Sequence, residues 1–219
     1  VIEMDVADDG SVQIGFEDIL NHVENVHILI NNAGIMYTGI TEGFSVSQAH
    51  EQMNTNYYGA IRATQAVLPG MRKAGDGLII NTSSIAGRIA APYFGTYSAT
   101  KFALEAYSQS LRYEVAPYGV DITVVEPGPF STGLFGAIKQ PERADILASY
   151  GELKDVPNIL FAGFGKMLEN GEFPDSQLVI DAYLNLAETN SGERPMRTQV
   201  GLSWGVDDLN RVSQPIQDS

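Results

Sequence analysis

Cysteine is absent from the 219 residues, which excludes disulfides, thiolate catalysis and cysteine-ligated metals together. Basic residues are scarce, 13 against 27 acidic ones, for a net charge of −14. A chain so charged repels polyanions, so no nucleic-acid partner and no anionic membrane surface is expected. The three histidines, His22, His27 and His50, match no metal-ligand spacing. Long hydrophobic runs are also missing: His27-Ile28-Leu29-Ile30 and Ile122-Thr123-Val124-Val125 are far too short to span a bilayer. No signal-peptide pattern opens the chain, and the cytoplasm is the expected compartment. Residue 1 is Val, and Val1-Ile2-Glu3-Met4-Asp5-Val6 reads as a strand already under way, as in a fragment or a processed protein.

What is present describes an ordinary globular chain. A hydrophobic content of 44% with 18% charged residues and a length of this order predict one domain, 1–219, with a substantial core. Strand candidates are Val1 to Val6, Val26 to Ile30, Gly77 to Asn81 and Val120 to Val125, with Thr198 to Gly201 as a last short one. Between them lie helical spacings. Ile14, Ile19, Leu20 and Val23 share one face; Met53, Tyr57, Ala60, Ile61, Thr64, Val67 and Leu68 share another in a helix starting near Ser45. A third helix runs from Tyr97 to about Ala116, and a fourth from Asp175 to Thr189, with Asp175 as its N-cap and Val179, Ala182, Tyr183 and Leu186 inward. Continuous apolar strands alternating with helices predict an α/β fold, a doubly wound parallel sheet in three layers. Right-handed crossovers then bring the polar stop signals of all strands to one edge, where open sheets of this kind bind ligands. From Gly133 to Pro174 the rhythm stops in an apolar insert, expected either as a substrate lid or as two short helices packed on the core. The tail from Ser213 is expected to be mobile.

The chemistry concentrates between Asn81 and Lys101. Asn81-Thr82-Ser83-Ser84-Ile85-Ala86-Gly87 follows a buried strand, and Tyr97-Ser98-Ala99-Thr100-Lys101 opens a helix. Lys101 stands at i+4 from Tyr97, on the same helix face. A nearby cation favours phenolate over phenol, so Tyr97 is expected to exchange its proton nearer neutrality than a free phenol does. A hydroxyl at the strand mouth, Ser84 or its neighbour Ser83, then polarises a carbonyl placed at the same spot.

These residues fall in one register with others: Asn31-Asn32-Ala33-Gly34, Asn56, Ser84, Tyr97, Lys101 and Pro127-Gly128. Asn31 follows Asp5 by 26 positions, Asn56 follows Asn31 by 25, Ser84 follows Asn56 by 28 and Tyr97 follows Ser84 by 13. In this the chain resembles the short-chain dehydrogenase/reductase family, densely from Val1 to about Leu134 and more thinly beyond. The resemblance implies a Rossmann-like fold and an oxidoreductase using NAD or NADP to interconvert an alcohol and a ketone or aldehyde. It further implies that Tyr97 is the general acid or base, that Lys101 depresses its pKa and bonds the nicotinamide ribose, that Ser84 holds the substrate oxygen, and that Asn56 anchors a water relay. Asn31, Asn32, Ala33 and Gly34 would meet the adenosine half of the cofactor. Asp5, with Val6 beside it, would face the adenine, and Pro127, Gly128 and Thr132 the nicotinamide. A homodimer or homotetramer paired through the helices 45–71 and 97–116 is implied as well.

The sequence departs from the family at one point. The glycine-rich turn that supplies backbone N–H groups to the pyrophosphate is not found, and Gly163-Phe164-Gly165 comes too late in the chain to replace it. Cofactor preference therefore has no sequence signal here. The apolar insert predicts a hydrophobic carbonyl substrate. The competing expectations are a non-catalytic scaffold or cofactor sensor, an inactive fragment, and an epimerase or dehydratase, for which too few residues follow Lys101.

Overall fold

Four apolar runs pair in the computed structural model, which describes residues 1–217. They are β1 Ile28–Asn31, β2 Gly77–Thr82, β3 Val120–Pro127 and β4 Arg197–Val200, all parallel and adjacent in chain order. Register sets Ile28 beside Leu78, Leu78 beside Asp121 and Val124 beside Arg197.

Alternation along the strands divides the core in two. Ile79 and Ile122 face helices α1 Asp9–His22 and α3 Gly59–Ala74, meeting Val12, Phe16, Ala63 and Val67. Leu78, Ile80 and Val125 face the opposite way, against Ala182 and Leu186 of α8 Gln177–Glu188. This is the expected three-layer arrangement. Helix α4 Gly95–Val115 packs on β3 and carries the Tyr97–Lys101 pair.

Local chemistry explains the helix boundaries. Helix α2 Val46–Met53 starts at Ser45, whose hydroxyl accepts from Gln48 N while Gln48 returns a bond to the Ser45 N–H. It continues through a π-turn, Asn54–Tyr58, into α3. Gly75 ends α3 at φ 69°, a left-handed C-cap. Before α8, Asp175 Oδ1 accepts from Gln177 N at 2.9 Å, so Asp175 satisfies the first turn although Ser176 is the flanking residue.

Four expectations fail. Val1 to Val6 forms no strand: no neighbouring strand offers it a ladder among the described residues, and a turn at Val6-Ala7, closed by Asp8 N donating to the Asp5 carbonyl, leads it into α1. Strand β1 is not buried; it is an edge strand, with Ile28 43% and Ile30 41% exposed. On α1 the buried face is Val12, Gly15 and Phe16, while Ile14, Leu20 and Val23 point outward. The expected mobile tail also lies in a helix, α9 Val206–Gln217, pinned by Tyr113 Oη donating to the Gln217 carbonyl at 2.6 Å. Its last two residues lie outside the described ones.

The insert holds three short helices, α5 Gly133–Gly136, α6 Ala144–Ser149 and α7 Val156–Glu169, with a 3-10 turn before α7. Its first half is strapped to α2 and the loop before it. Lys139 bridges backbone to Tyr37 and its ammonium meets Glu51, Gln48 Nε2 donates to the Gln140 carbonyl, and Tyr150 Oη donates to Glu42. Among the described residues no helix is long and apolar enough to cross a membrane.

Candidate active site

The carboxyl ends of β1, β2 and β3 open together onto a cavity of about 610 Å³. Each strand stops at residues that cannot continue it. β1 gives way to Asn32-Ala33-Gly34, β2 to Ser83-Ser84, and β3 to Gly128-Pro129. Asn32, Gly34, Ser84, Tyr97, Lys101, Pro127, Gly128 and Thr132 all line this cavity.

Tyr97 enters from the first turn of α4, buried beside Phe94, with the ring centroids 6.4 Å apart. Its hydroxyl hydrogen-bonds Ser84, while Ser84 Oγ also accepts from Ala86 N at 3.1 Å and donates to the Pro127 carbonyl at 3.4 Å. Ser83, by contrast, is buried against Gly87: a Cβ on Gly87 would stand 2.5 Å from its hydroxyl. Lys101, one turn on, donates from Nζ to the Thr82 carbonyl at 2.8 Å and lies 5.7 Å from the Tyr97 ring centroid.

Burial decides the protonation of this pair, against the sequence-based expectation. The Tyr97 phenol is pushed up to about 12, not down, because desolvation penalises the phenolate; only the Ser84 hydrogen bond opposes it. The Lys101 ammonium is pushed down to about 8 by the same desolvation, with the charge of Glu105 pulling back up. Burial thus moves both groups toward their neutral forms, yet Lys101, at about 8, still carries its proton at neutral pH while Tyr97 stays a neutral phenol.

Asn56 sits in the π-turn, the irregular piece of helix between α2 and α3. Its Oδ1 accepts from Ile35 N at 2.8 Å, and its Nδ2 donates to the Ile35 carbonyl at 2.9 Å and to Thr100 Oγ1 at 3.1 Å. It clamps the loop after β1 to α4. Gly34 makes room for it: a Cβ there would stand 3.3 Å from Asn56 Oδ1 and 3.9 Å from Lys101 Nζ.

The remaining sequence-chosen residues divide. Asn31 donates to Asn81 Oδ1 at 2.8 Å and to Thr64 Oγ1 at 3.3 Å, a cross-tie between strands and α3. Val6, Asn31, Asn32, Ala33 and Asn56 line a second, smaller cavity of about 150 Å³, which shares Asn32 and Thr82 with the first. Asp5 lines neither; its Oδ1 accepts from Ala7 N. Gly128 is held by packing: a Cβ would stand 2.2 Å from the Leu202 carbonyl oxygen. Thr132 flanks the start of α5.

The cavity edge leaves room for a dinucleotide cofactor: Gly34 opens the floor beside the buried Lys101, and the exposed Asn32 lines the same space. Among the described residues no glycine-rich turn precedes β1, so the diphosphate half finds no backbone cradle there. No group of three or more metal-ligating side chains occurs among the described residues.

Aromatic rings close the other side. Phe164 of α7 meets Phe135, Phe161, Phe173 and Trp204, all with centroids within 6.5 Å. Phe161 in turn touches Phe94 beside the tyrosine. Tyr183 of α8 spans the mouth, its hydroxyl bonded to Thr82 Oγ1 at 2.7 Å and donating to Asn32 Oδ1 at 3.1 Å. The inward reading of Tyr183 put it on the core side of α8, and no local signal marked it as a cavity residue. Trp204, held at φ 47° in the turn before α9, carried no periodicity that could have placed it here.

The sequence profile of the family described as short chain dehydrogenase matches residues 1–143. A 3-ketodihydrosphingosine reductase of Bacteroides thetaiotaomicron is 44% identical over 133 residues, 61% of this chain and 49% of that protein. Retinol dehydrogenase 8 of Homo sapiens is 31% identical over 205 residues, 93% of this chain and 64% of that one. A solved short-chain dehydrogenase from Streptomyces avermitilis superposes with a TM-score of 0.77 at 29% identity, over 99% of this chain and 79% of its own. The chain spans about half the length of the first curated relatives it matches.

Proposed function

The chain belongs to the short-chain dehydrogenase family, and from that premise we propose that its parent protein interconverts an alcohol and a ketone or aldehyde, using NAD or NADP and favouring a bulky apolar substrate. The observation that carries this is the Ser84–Tyr97 hydroxyl pair, with Lys101 one turn on, at the floor of an apolar, aromatic-walled cavity.

Hydride exchange at the carbonyl carbon is the chemistry that a bound nicotinamide supplies. The rest falls to this chain. Tyr97 is protonated at neutral pH and donates its proton to the carbonyl oxygen during reduction, taking it back from the alcohol during oxidation. Ser84 donates to the same oxygen as negative charge gathers on it. Lys101 keeps positive charge beside the phenol, offsetting the burial that otherwise makes phenolate costly. Asn56 fixes the backbone of Ile35 against Thr100, so the cofactor edge and α4 keep their spacing. Asn32, Ala33, Gly34, Pro127, Gly128 and Thr132 flank the cofactor, with Asp5 and Val6 towards its adenine end. The insert 133–174 acts as a lid whose rings exclude water from the reaction. The names of the two relatives, a sphingoid-base reductase and a retinol dehydrogenase, support an apolar substrate. The exposed Tyr58, in the turn between α2 and α3, and the exposed Phe102 and Tyr113 of α4 support pairing of subunits through those helices.

The test is a fluorescence titration of the chain with NADH and NADPH, followed by reduction of a long-chain ketone and of a small polar one. Saturable nucleotide binding with faster turnover of the long-chain ketone is expected. A folded chain that binds neither nucleotide loses the reading for this chain, and equal turnover of both ketones removes the apolar preference.

A further inference from the structure

Behind the site, five charges, four buried and Arg88 half-buried, alternate in sign. Lys101 and Glu105 stand one turn apart on the inner face of α4, only 6% and 4% exposed. Arg197 of β4 donates from Nε to Glu105 Oε2 at 2.9 Å, and the same nitrogen lies 3.3 Å from Glu126 Oε1 at the end of β3. Glu126 Oε1 lies 3.7 Å from Arg88 Nε, in the segment after the Ser84 turn. Helix α9 closes the far end: Asn210 donates to Glu126 and accepts from Arg88 Nε at 2.9 Å, and Ser213 accepts from Arg88 at 3.1 Å. The mechanism above uses Lys101 and leaves the other four unexplained.

Such a chain is costly unless it positions something, since replacing buried ion pairs by apolar residues is often neutral or stabilising. Its charges do not balance: three cations face two anions. The two guanidiniums hold their protons under all ordinary conditions, and burial with the neighbouring Glu105 pushes the Glu126 carboxyl up to about 8, so the formal excess of positive charge bears on the one cation able to lose its proton, Lys101. The anion on its own helix face is Glu105. Gly87 lets the two elements close on this point, for a Cβ there would stand 3.2 Å from Glu105 Cγ and 3.2 Å from the Lys101 carbonyl carbon.

We infer that Glu105 is a positioning residue that keeps Lys101 protonated, and that Arg197, itself held by Glu126, fixes Glu105 in place. The groups facing Lys101 are Tyr97 and Glu105 on α4 and the uncharged Thr82 and Asn56 from β2 and the π-turn. Those facing Glu105 are Arg197, Glu126 and Arg88. Removing the Glu105 charge leaves Lys101 with its burial alone, which favours the neutral amine. The direction of the Lys101 shift agrees: burial lowers it and Glu105 opposes. What this means for catalysis rests on the role given to Lys101 above; the coupling of the two side chains does not.

The experiment is a pH titration of the Lys101 ¹³Cε resonance in the full 219-residue chain, in wild type, Glu105→Gln and Glu105→Asp. The Gln variant is expected to lower the Lys101 midpoint by about one pH unit, with the Asp variant close to wild type. An unmoved midpoint in folded Glu105→Gln overturns the inference. Should that variant not fold, the same coupling is read from its other end. Coupling between two sites is reciprocal, so Lys101→Met, which removes a costly buried cation and keeps the side-chain length, must raise the Glu105 ¹³Cδ midpoint by a like amount. An unmoved Glu105 midpoint there overturns it equally. A moved Lys101 midpoint with an unmoved pH profile of turnover sustains the coupling and retires the catalytic reading of Lys101 instead.

Discussion

The wall of the cavity formed by β2, β3 and α4 buries its polar groups and ties most of them to named partners. Lys101 reaches the Thr82 carbonyl, Asn56 spends both ends of its amide, and Glu105 is gripped by Arg197. The facing wall, from Leu134 to Phe173 with Trp204, is joined by ring contacts and leaves Leu153, Ile159 and Leu160 in water, Ile159 being 70% exposed. Under the proposed function the difference follows from what each wall must do. A proton donor has to stay within hydrogen-bond reach of one oxygen, and only a paired, buried network holds a side chain that firmly. An apolar chain has no such demand; area and shape suffice, and loosely held rings adapt to several occupants.

The contrast can be broken at either wall. The largest effect is expected from Tyr97→Phe, which removes the proton donor and leaves the ring in place. Turnover should fall by about 10²–10⁴-fold, with an unfolding midpoint close to wild type; full activity in the variant would remove Tyr97 from the chemistry.

The next is a pH effect on stability. Lys101 has its folded pKa lowered to about 8 from an ordinary 10.5, so between those values the unfolded chain binds the extra proton. The contribution of this group is therefore fully present above about pH 10.5 and is lost as pH falls through about 8. Relative to Lys101→Met, wild type should gain up to roughly 3 kcal/mol across that window. Urea unfolding of the two proteins at pH 7, 9 and 10.5 reads the gain, and parallel curves would show that Lys101 is not desolvated.

On the apolar wall, Phe164→Ala takes away the ring that meets four others. Its effect should appear in KM, raised about tenfold for a long-chain ketone by the loss of one apolar anchor, with kcat nearly unchanged. A collapse of kcat instead would give the insert a part in the chemistry. Smallest of all is Lys139→Met. The Lys139–Glu51 pair is half exposed on both sides, and exposed pairs of this kind add little, so the unfolding midpoint should not move measurably.

Parts of this were legible from residue order. Tyr97 and Lys101 meet because four residues make one helical turn, and Ser45 caps α2 because its hydroxyl and Gln48 are three apart. The strand stops share an edge because parallel strands joined by right-handed crossovers leave no other choice. Other parts were not legible. Ile28 and Ile30 read as core because β-strands of this composition are buried on average, yet exposure of an edge depends on which strands lie beside it. Nothing in α1 marks Ile14 as outward and Phe16 as inward, since both satisfy an apolar spacing; the position of α3 chooses between them.

Two features mark the boundary. The sequence alone determined the parallel α/β architecture and the family and placed Asn56, Ser84, Tyr97 and Lys101 in one motif order, because helical period, strand period and motif order are local or one-dimensional properties. The tertiary structure alone decided the protonation of Tyr97 and Lys101 and the existence of the charge chain behind them. Desolvation depends on every element packed around a group, and Glu105 and Arg197 meet across 92 residues of chain, a distance over which no pattern in the sequence carries a signal.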